Sequence, residues 1–321
     1  MRSIRVSPWA TRPAITSEAV TIDDPAGGVW PAAARGHTTA QVSVNGGTWR
    51  DGGVVAAGDE VRLRFTPVSS GDYSLSLRLP GVSVPWAVTV SASDADVTAF
   101  LAAAGITDPD QTDAVTALVA ALKADSLWGK LYAAYPFVGG TADSHKWNLK
   151  DPRDLDAAYR LEFAGGWTHD ANGVTPNGST GYADTNLTAS DVLAADAGSV
   201  GVYSRTDSSS GAQPYDLVCC DGSDTKFTGT IAKYSNTNAY FGYGSATYPN
   251  ASGLSGAGLF TTVRRDGTTT YGYRNATQVV STADTVTLPS ETLYLGASNK
   301  GGTATYFGNK NYALAFIDRK S

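Results

Sequence analysis

The sequence predicts a mainly β protein: two strand-rich regions joined by a short helical one. Three observations point there. Apolar and polar residues alternate with a period of two between turn signals over most of the chain, the pattern of strands with one buried face. Glycine is frequent, 35 in 321 residues, and only 17% of residues are charged, a balance that suits many tight turns. Between about residues 94 and 132 the apolar spacing changes to three and four, which is helical.

Residues 1–13 read as an N-terminal arm. Pro8 and Pro13 interrupt any helix there, and Trp9 leaves an apolar handle on extended chain. An ordinary first strand and loop of the following domain is the equal alternative.

Residues 14–93 hold alternating strands at 19–22, 40–44, 60–65, 73–77 and 86–90. In the third, Val61, Leu63 and Phe65 face a core and Arg62 and Arg64 face water. Asn45-Gly46-Gly47, Asp51-Gly52-Gly53, Gly58-Asp59 and Pro80-Gly81 separate them as turns, since Gly and Asn adopt positive φ at little cost. The runs Val42-Ser43-Val44-Asn45-Gly46-Gly47-Thr48-Trp49 and Gly58-Asp59-Glu60-Val61-Arg62-Leu63-Arg64, with Ser70-Gly71-Asp72-Tyr73 beyond, resemble a small immunoglobulin-like β-sandwich repeat of bacterial surface proteins and phage tail proteins. The resemblance implies a spacer or joint, with Trp49 packed inside the sandwich.

Residues 94–134 read as a helical joint of two helices. Ser93 or Asp94 caps the first, and Gly105 ends it. Asp108-Pro109-Asp110 opens the second, whose apolar face runs through Val115, Leu118, Val119, Leu122, Leu127 and Leu131.

Residues 135–321 close on strands at 262–275, 293–297 and 312–317, which resemble the final strands of a laminin-G-like jelly roll. The opening runs Tyr135-Pro136-Phe137-Val138-Gly139-Gly140 and His145-Lys146-Trp147-Asn148-Leu149-Lys150-Asp151-Pro152 extend the match. Leu161-Glu162-Phe163-Ala164-Gly165-Gly166-Trp167-Thr168-His169 and Gly178-Ser179-Thr180-Gly181-Tyr182-Ala183-Asp184-Thr185 carry it further. From about residue 96 to 317 the chain resembles a phage-associated domain in which helices lead into a concanavalin-A-like jelly roll. Members of that group are mostly virion tail or fibre components and prophage genes, which implies attachment or structure. That resemblance continues past the last strand into a turn and helix, whereas this sequence stops at Phe316-Ile317-Asp318-Arg319-Lys320-Ser321. The last strand is therefore expected either to end the fold or to leave an edge for another subunit.

Several chemistries are excluded. A net charge of −6 disfavours a phosphate-tracking surface, so nucleic acid is not an expected partner. No apolar h-region follows the basic N-terminus and no run of about 18 apolar residues occurs, so neither secretion nor membrane insertion is expected. Cys219 and Cys220 are adjacent, and a bridge between neighbours is strained, so both read as ordinary thiols with no zinc set nearby.

No catalytic residue stands out. Glu162 and Glu291 are far apart and isolated on strands, where glycosidases need carboxylates flanking one bond. His37, His145 and His169 lack a nucleophile elbow, since Gly253-Leu254-Ser255-Gly256 has the wrong spacing. Both later histidines read as hydrogen-bonded loop or surface residues. No cofactor is expected; calcium is the one ion the acidic 216–221 loop with Asp221 and Asp224 admits, against the plainer reading of turn chemistry.

Sugar sites stack aromatic rings on pyranose faces and align amides with hydroxyls. The segment 233–244 with Tyr248 has that composition. Tyr234, Tyr240 and Tyr248, with Asn236 and Asn238, are the candidate ligand-binding residues, while Phe241 and Tyr243 fill or cap the core. Asn299-Lys300 and Asn309-Lys310-Asn311 add polar loop groups. The expected function is a non-enzymatic virion component, a fibre, spike or tail protein. It would bind host surface polysaccharide through the jelly roll and other virion proteins through its N-terminal region, as a homo-oligomer in the particle. A purely structural decoration protein and a polysaccharide-degrading enzyme are the alternatives.

Overall fold

The computed structural model describes residues 3–5, 15–22, 29–36, 38–65, 71–80, 82–91, 94–207 and 214–319. The fold is mainly β, and the chain divides into two compact units, Met1–Thr98 and Ala99–Ser321.

The first unit is a sandwich of two sheets. Glu60–Phe65 lies at the centre of one, with Gln41–Val44 on one side and Ile15–Thr16 and Val20–Thr21 on the other. The other sheet runs Ser3–Arg5, Val82–Ser91, Gly71–Leu79, Val29–Arg35, Gly52–Ala56. Val61, Leu63 and Phe65 are buried and Arg62 is exposed, as a one-sided strand requires. They meet Ala32, Ala34, Leu75 and Leu77 of the opposite sheet, and the Phe65 ring meets Trp86 edge-on at 5.9 Å. Asn45 and Gly46 both have positive φ, 49° and 71°, and the Asn45 side chain accepts from the Glu60 amide at 2.8 Å, which closes the turn.

Three features differ from expectation. Gly52 and Gly53 belong to a strand rather than a turn. The strand Val29–Arg35 contains Pro31, tolerated because pairing with Gly71–Leu79 begins only at Ala33. Trp49 lies outside the core cluster, with the Arg64 guanidinium 4.6 Å above its ring, so it covers the solvent face of Glu60–Phe65. Backbone Ser3–Arg5 pairs in parallel with Thr89–Ser91, whereas Pro8, Trp9, Pro13 and His37 lie outside the described residues.

Helices span Ala95–Ala104 and Pro109–Ala124. The Asp108 carboxylate accepts from the Gln111 amide at 2.9 Å, and Pro109 occupies the first turn, where its missing N–H costs nothing. Gly105 ends the first helix at φ 65°. The second ends earlier than the apolar spacing predicts. Ser126 turns the chain at φ 58°, Leu127 is exposed, and Leu131 already belongs to the strand Leu131–Pro136.

That strand enters a larger, jelly-roll-like sandwich. One sheet runs Trp167–Asp170, Gly173–Pro176, Tyr312–Arg319, Gly198–Ser204, Gly258–Arg264, Thr269–Arg274, Thr277–Ala283. The other runs Glu162–Ala164, Tyr182–Thr188, Thr292–Leu295, Leu217–Cys220, Phe227–Ile231, Ala239–Ser245, Asn250–Ala251, and Ser298–Lys300 pairs in parallel beside Leu217–Cys220. Between the sheets lie Val200, Val202, Leu217, Cys219, Leu295, Ala315 and Ile317. The Phe241 and Phe260 rings stack across the gap at 6.4 Å, and the Thr262 hydroxyl donates to the Gly229 carbonyl at 2.7 Å.

Of the two alternatives for the last strand, the exposed edge is corrected, and so is the reading of Lys310. Tyr312–Arg319 is an interior strand, bonded to Gly198–Ser204 on one side and to Leu131–Pro136 on the other, so it leaves no edge. Lys310 is not a polar loop group but fully buried. Its ammonium donates to both Asp216 oxygens at 3.0 and 3.1 Å, and Asp216 also accepts from the Tyr312 hydroxyl and the Ala232 amide. A buried pair is tolerable when its remaining valences are filled in this way.

Candidate ligand-binding site

The site lies on the outer face of the second sheet and follows from strand alternation. In Ala239–Ser245, Phe241 and Tyr243 point into the core, so Tyr240, Gly242 and Gly244 point out. On the neighbouring strands Phe227, Ile231, Val218 and Cys220 share that outer face and form their own cluster, against which Tyr215, Tyr234, Tyr240 and Tyr248 pack. Tyr215, Phe227, Ile231, Tyr234, Tyr240 and Tyr248 together line a cavity of about 170 Å³.

The rings brace one another edge to face. Tyr234 meets Tyr240 at 5.5 Å and Tyr215 at 5.9 Å, and Phe227 meets Tyr248 at 4.9 Å. Burial pushes the Tyr248 phenol up to about 12 and raises Tyr215 and Tyr234 as well, so these walls stay neutral. Each phenol is thus both donor and acceptor at neutral pH.

All three candidate tyrosines converge here. Asn236 and Asn238 shape the loop above them: the Asn236 amide donates to the Tyr240 hydroxyl at 2.6 Å, and its oxygen accepts from the Asn238 backbone at 3.1 Å. The Asn238 side chain turns away to Asn250 at 3.1 Å. The Tyr234 amide donates to the Asn238 carbonyl, and Thr237 takes φ 70° to close the turn.

Sequence reasoning missed Tyr215, in the loop before Leu217–Cys220, Phe227 and Ile231 of the neighbouring strand, and the polar groups beside Tyr248. There the Lys300 ammonium pairs with the Asp224 carboxylate, and Tyr248 donates its hydroxyl to the Asp224 carbonyl at 2.9 Å. Tyr306 lies beside Tyr215 at 4.8 Å, and the Lys300 ammonium is 6.0 Å from its centroid. Outward-facing Cys220 contacts Asp224 and Ser298 at 3.4 Å each.

The acidic residues weighed for calcium are otherwise engaged. Asp216 serves Lys310, Asp221 accepts from Thr225 and Lys226, and Asp224 pairs with Lys300. Among the described residues no group of three or more His, Cys, Asp or Glu could hold a metal, and no helix is long and apolar enough to cross a membrane. Cys219 and Cys220 are both free and buried, on opposite faces of one strand. Glu162 is spent on Arg160 at 2.8 Å.

The histidines form a pair away from this pocket. His145 is buried rather than a surface residue, with its Nδ1 3.0 Å from Nδ1 of His169. The Gly140 amide donates to His145 Nε2 at 3.2 Å, so a neutral His145 carries its proton on Nδ1 and gives it to His169.

No family model matches the chain, and no curated protein does. Three solved structures of NanB sialidase from Streptococcus pneumoniae are similar over part of it. A single-site mutant of that sialidase aligns with a TM-score of 0.33 at 16% identity, covering 50% of this chain and 26% of the sialidase. The complex with 2-[(3-chlorobenzyl)ammonio]ethanesulfonate gives 0.30 at 15% identity, and the form with Optactamide 0.29 at 16%; each covers 40% of this chain and 23% of the sialidase. The chain thus spans about a quarter of the length of those sialidases.

Proposed function

We propose that this chain is a non-enzymatic glycan-binding component of a phage or phage-like particle, holding host surface polysaccharide in the tyrosine-lined pocket. One observation carries the binding part: Tyr234, Tyr240 and Tyr248 surround a single outward-facing cavity of about 170 Å³. Ring faces suit the apolar faces of pyranoses, and phenols with nearby amides suit their hydroxyls. The cavity is smaller than the roughly 300–1,000 Å³ of a drug-sized site, so one sugar ring is the unit held. Weak affinity per pocket is offset when many copies face one surface, because each further contact forms at high effective concentration. The resemblance of residues 96–317 to phage-associated domains supports the particle setting, with the N-terminal region as the attachment side.

The test is adsorption. Particles lacking this chain, or carrying it with Tyr234→Ala and Tyr240→Ala, should lose host binding, while purified full-length protein retains host polysaccharide without releasing reducing ends. Unchanged adsorption with defective assembly would move the role to decoration of the particle. Reducing ends released in proportion to protein would make it an enzyme.

A further inference from the structure

We infer that the pocket takes an uncharged hexopyranose with adjacent hydroxyls, and that Asp224 and Lys300 form its hydroxyl-reading end. This rests on the glycan-binding reading and narrows its ligand class.

The charge arrangement is the first argument. Two cations near the tyrosines are already paired: Lys300 with Asp224, whose carbonyl takes the Tyr248 hydroxyl, and Lys233, next to Tyr234, with Asp207 at 2.7 Å. Asp221 is filled by the amides of Thr225 and Lys226 and the Thr225 hydroxyl. A sulfated or carboxylated sugar that drew on Lys300 or Lys233 would therefore have to break an existing ion pair. The chain's net charge of −6 adds long-range repulsion to any polyanion.

The second argument is hydrogen-bond capacity. The Lys300 and Asp224 side chains remain 26% and 40% exposed although paired. Each has valences left beyond that bond and the Cys220 thiol contact to the other Asp224 oxygen: the ammonium can donate to one hydroxyl oxygen, and the carboxylate can accept from its neighbour. Two hydroxyls on adjacent ring carbons match two such groups held side by side. Tyr248, bonded to the Asp224 carbonyl, and Tyr306, beneath Lys300, hold that pair next to the aromatic walls.

Asp224 also supplies the decisive variant. It sits at φ 55°, a conformation Asn accepts readily, so Asp224→Asn keeps shape while leaving Lys300 unneutralised. Full-length protein, Tyr240→Ala and Asp224→Asn are applied to a printed array of neutral, carboxylated and sulfated glycans at about 0.15 M salt. The natural protein is expected to retain neutral glycans, Tyr240→Ala to lose them by about tenfold or more, and Asp224→Asn to shift preference toward carboxylated ones by a similar factor. Acidic glycans preferred by the natural protein would overturn the neutral class but leave glycan binding standing. No retention of any glycan, even by multimerised protein, would overturn glycan binding itself. Neutral binding indifferent to Tyr240→Ala would place the sugar elsewhere on the fold.

Discussion

Phe227 lies flat on the bare backbone of Gly242: a Cβ added to that glycine would stand 1.8 Å from the ring's Cδ1. The ring in turn supports Tyr248 and Tyr215, at 4.9 and 6.0 Å. Gly242→Ala must push Phe227 upward into the cavity. We expect a loss of about 1–3 kcal/mol in stability, the usual cost of overpacking, together with loss of ligand retention. Thermal unfolding checks the first. A melting temperature equal to that of the natural protein would mean the ring does not rest on Gly242.

Lys310→Met should be among the most destabilising single changes in the second unit. It leaves the Asp216 carboxylate fully buried with only the Tyr312 hydroxyl and Ala232 amide as partners. Breaking one side of a buried pair costs about 3–5 kcal/mol, because the survivor's charge is uncompensated. Adding Asp216→Asn removes that charge and should recover part of the loss. Urea midpoints of the single and double variants measure the coupling.

Acid should weaken the fold through His145. Burial, and secondarily His169, lowers it from the usual 6.5 to about 4. Burial also lowers His169. Between those values the unfolded chain binds the proton and the folded one does not. Stability is thus intact above pH 6.5 and is lost as pH falls toward 4, by at most about 3 kcal/mol for His145. Denaturant midpoints should fall across that window, and His145→Asn should flatten the fall. A midpoint that rose on acidification would contradict the buried neutral pair.

Legibility in the sequence tracked how local the cause was. Glu60–Phe65 alternates cleanly because it has one buried face, and it was readable; Gly258–Arg264 alternates in the same way, but only its end from Thr262 was read. The same rule separated outward Tyr240 from inward Phe241 and Tyr243. Asn309-Lys310-Asn311 read as polar loop because the carboxylate that buries Lys310 lies 94 residues away. The pocket was half legible for the same reason. Its 234–248 segment is contiguous, but Tyr215, Phe227 and Lys300 reach it only through sheet pairing. Leu127 and Leu131 kept helical spacing after the helix had ended, since spacing alone does not register a positive φ at Ser126.

The two adjacent cysteines give a probe of the site's rigidity. Burial holds the Cys220 thiol up to about 11 and Cys219 well above its usual value, so neither is a thiolate at neutral pH. Cys219 points into the core between the sheets and Cys220 into the cluster under the tyrosines. Alkylation of either requires an opening, and which opening distinguishes two behaviours. If the outer cluster opens with the whole sandwich, both thiols label together, at a rate set by global unfolding. If the tyrosine layer lifts by itself, Cys220 labels first while Cys219 stays protected. We expect joint labelling, because Asp224, Ser298 and the Lys300 strand pairing tie Cys220 to the same sheet that carries Cys219. Mass spectrometry of peptides after timed iodoacetamide exposure separates the cases. Early modification confined to Cys220 would instead identify a tyrosine layer that opens without the rest of the sandwich.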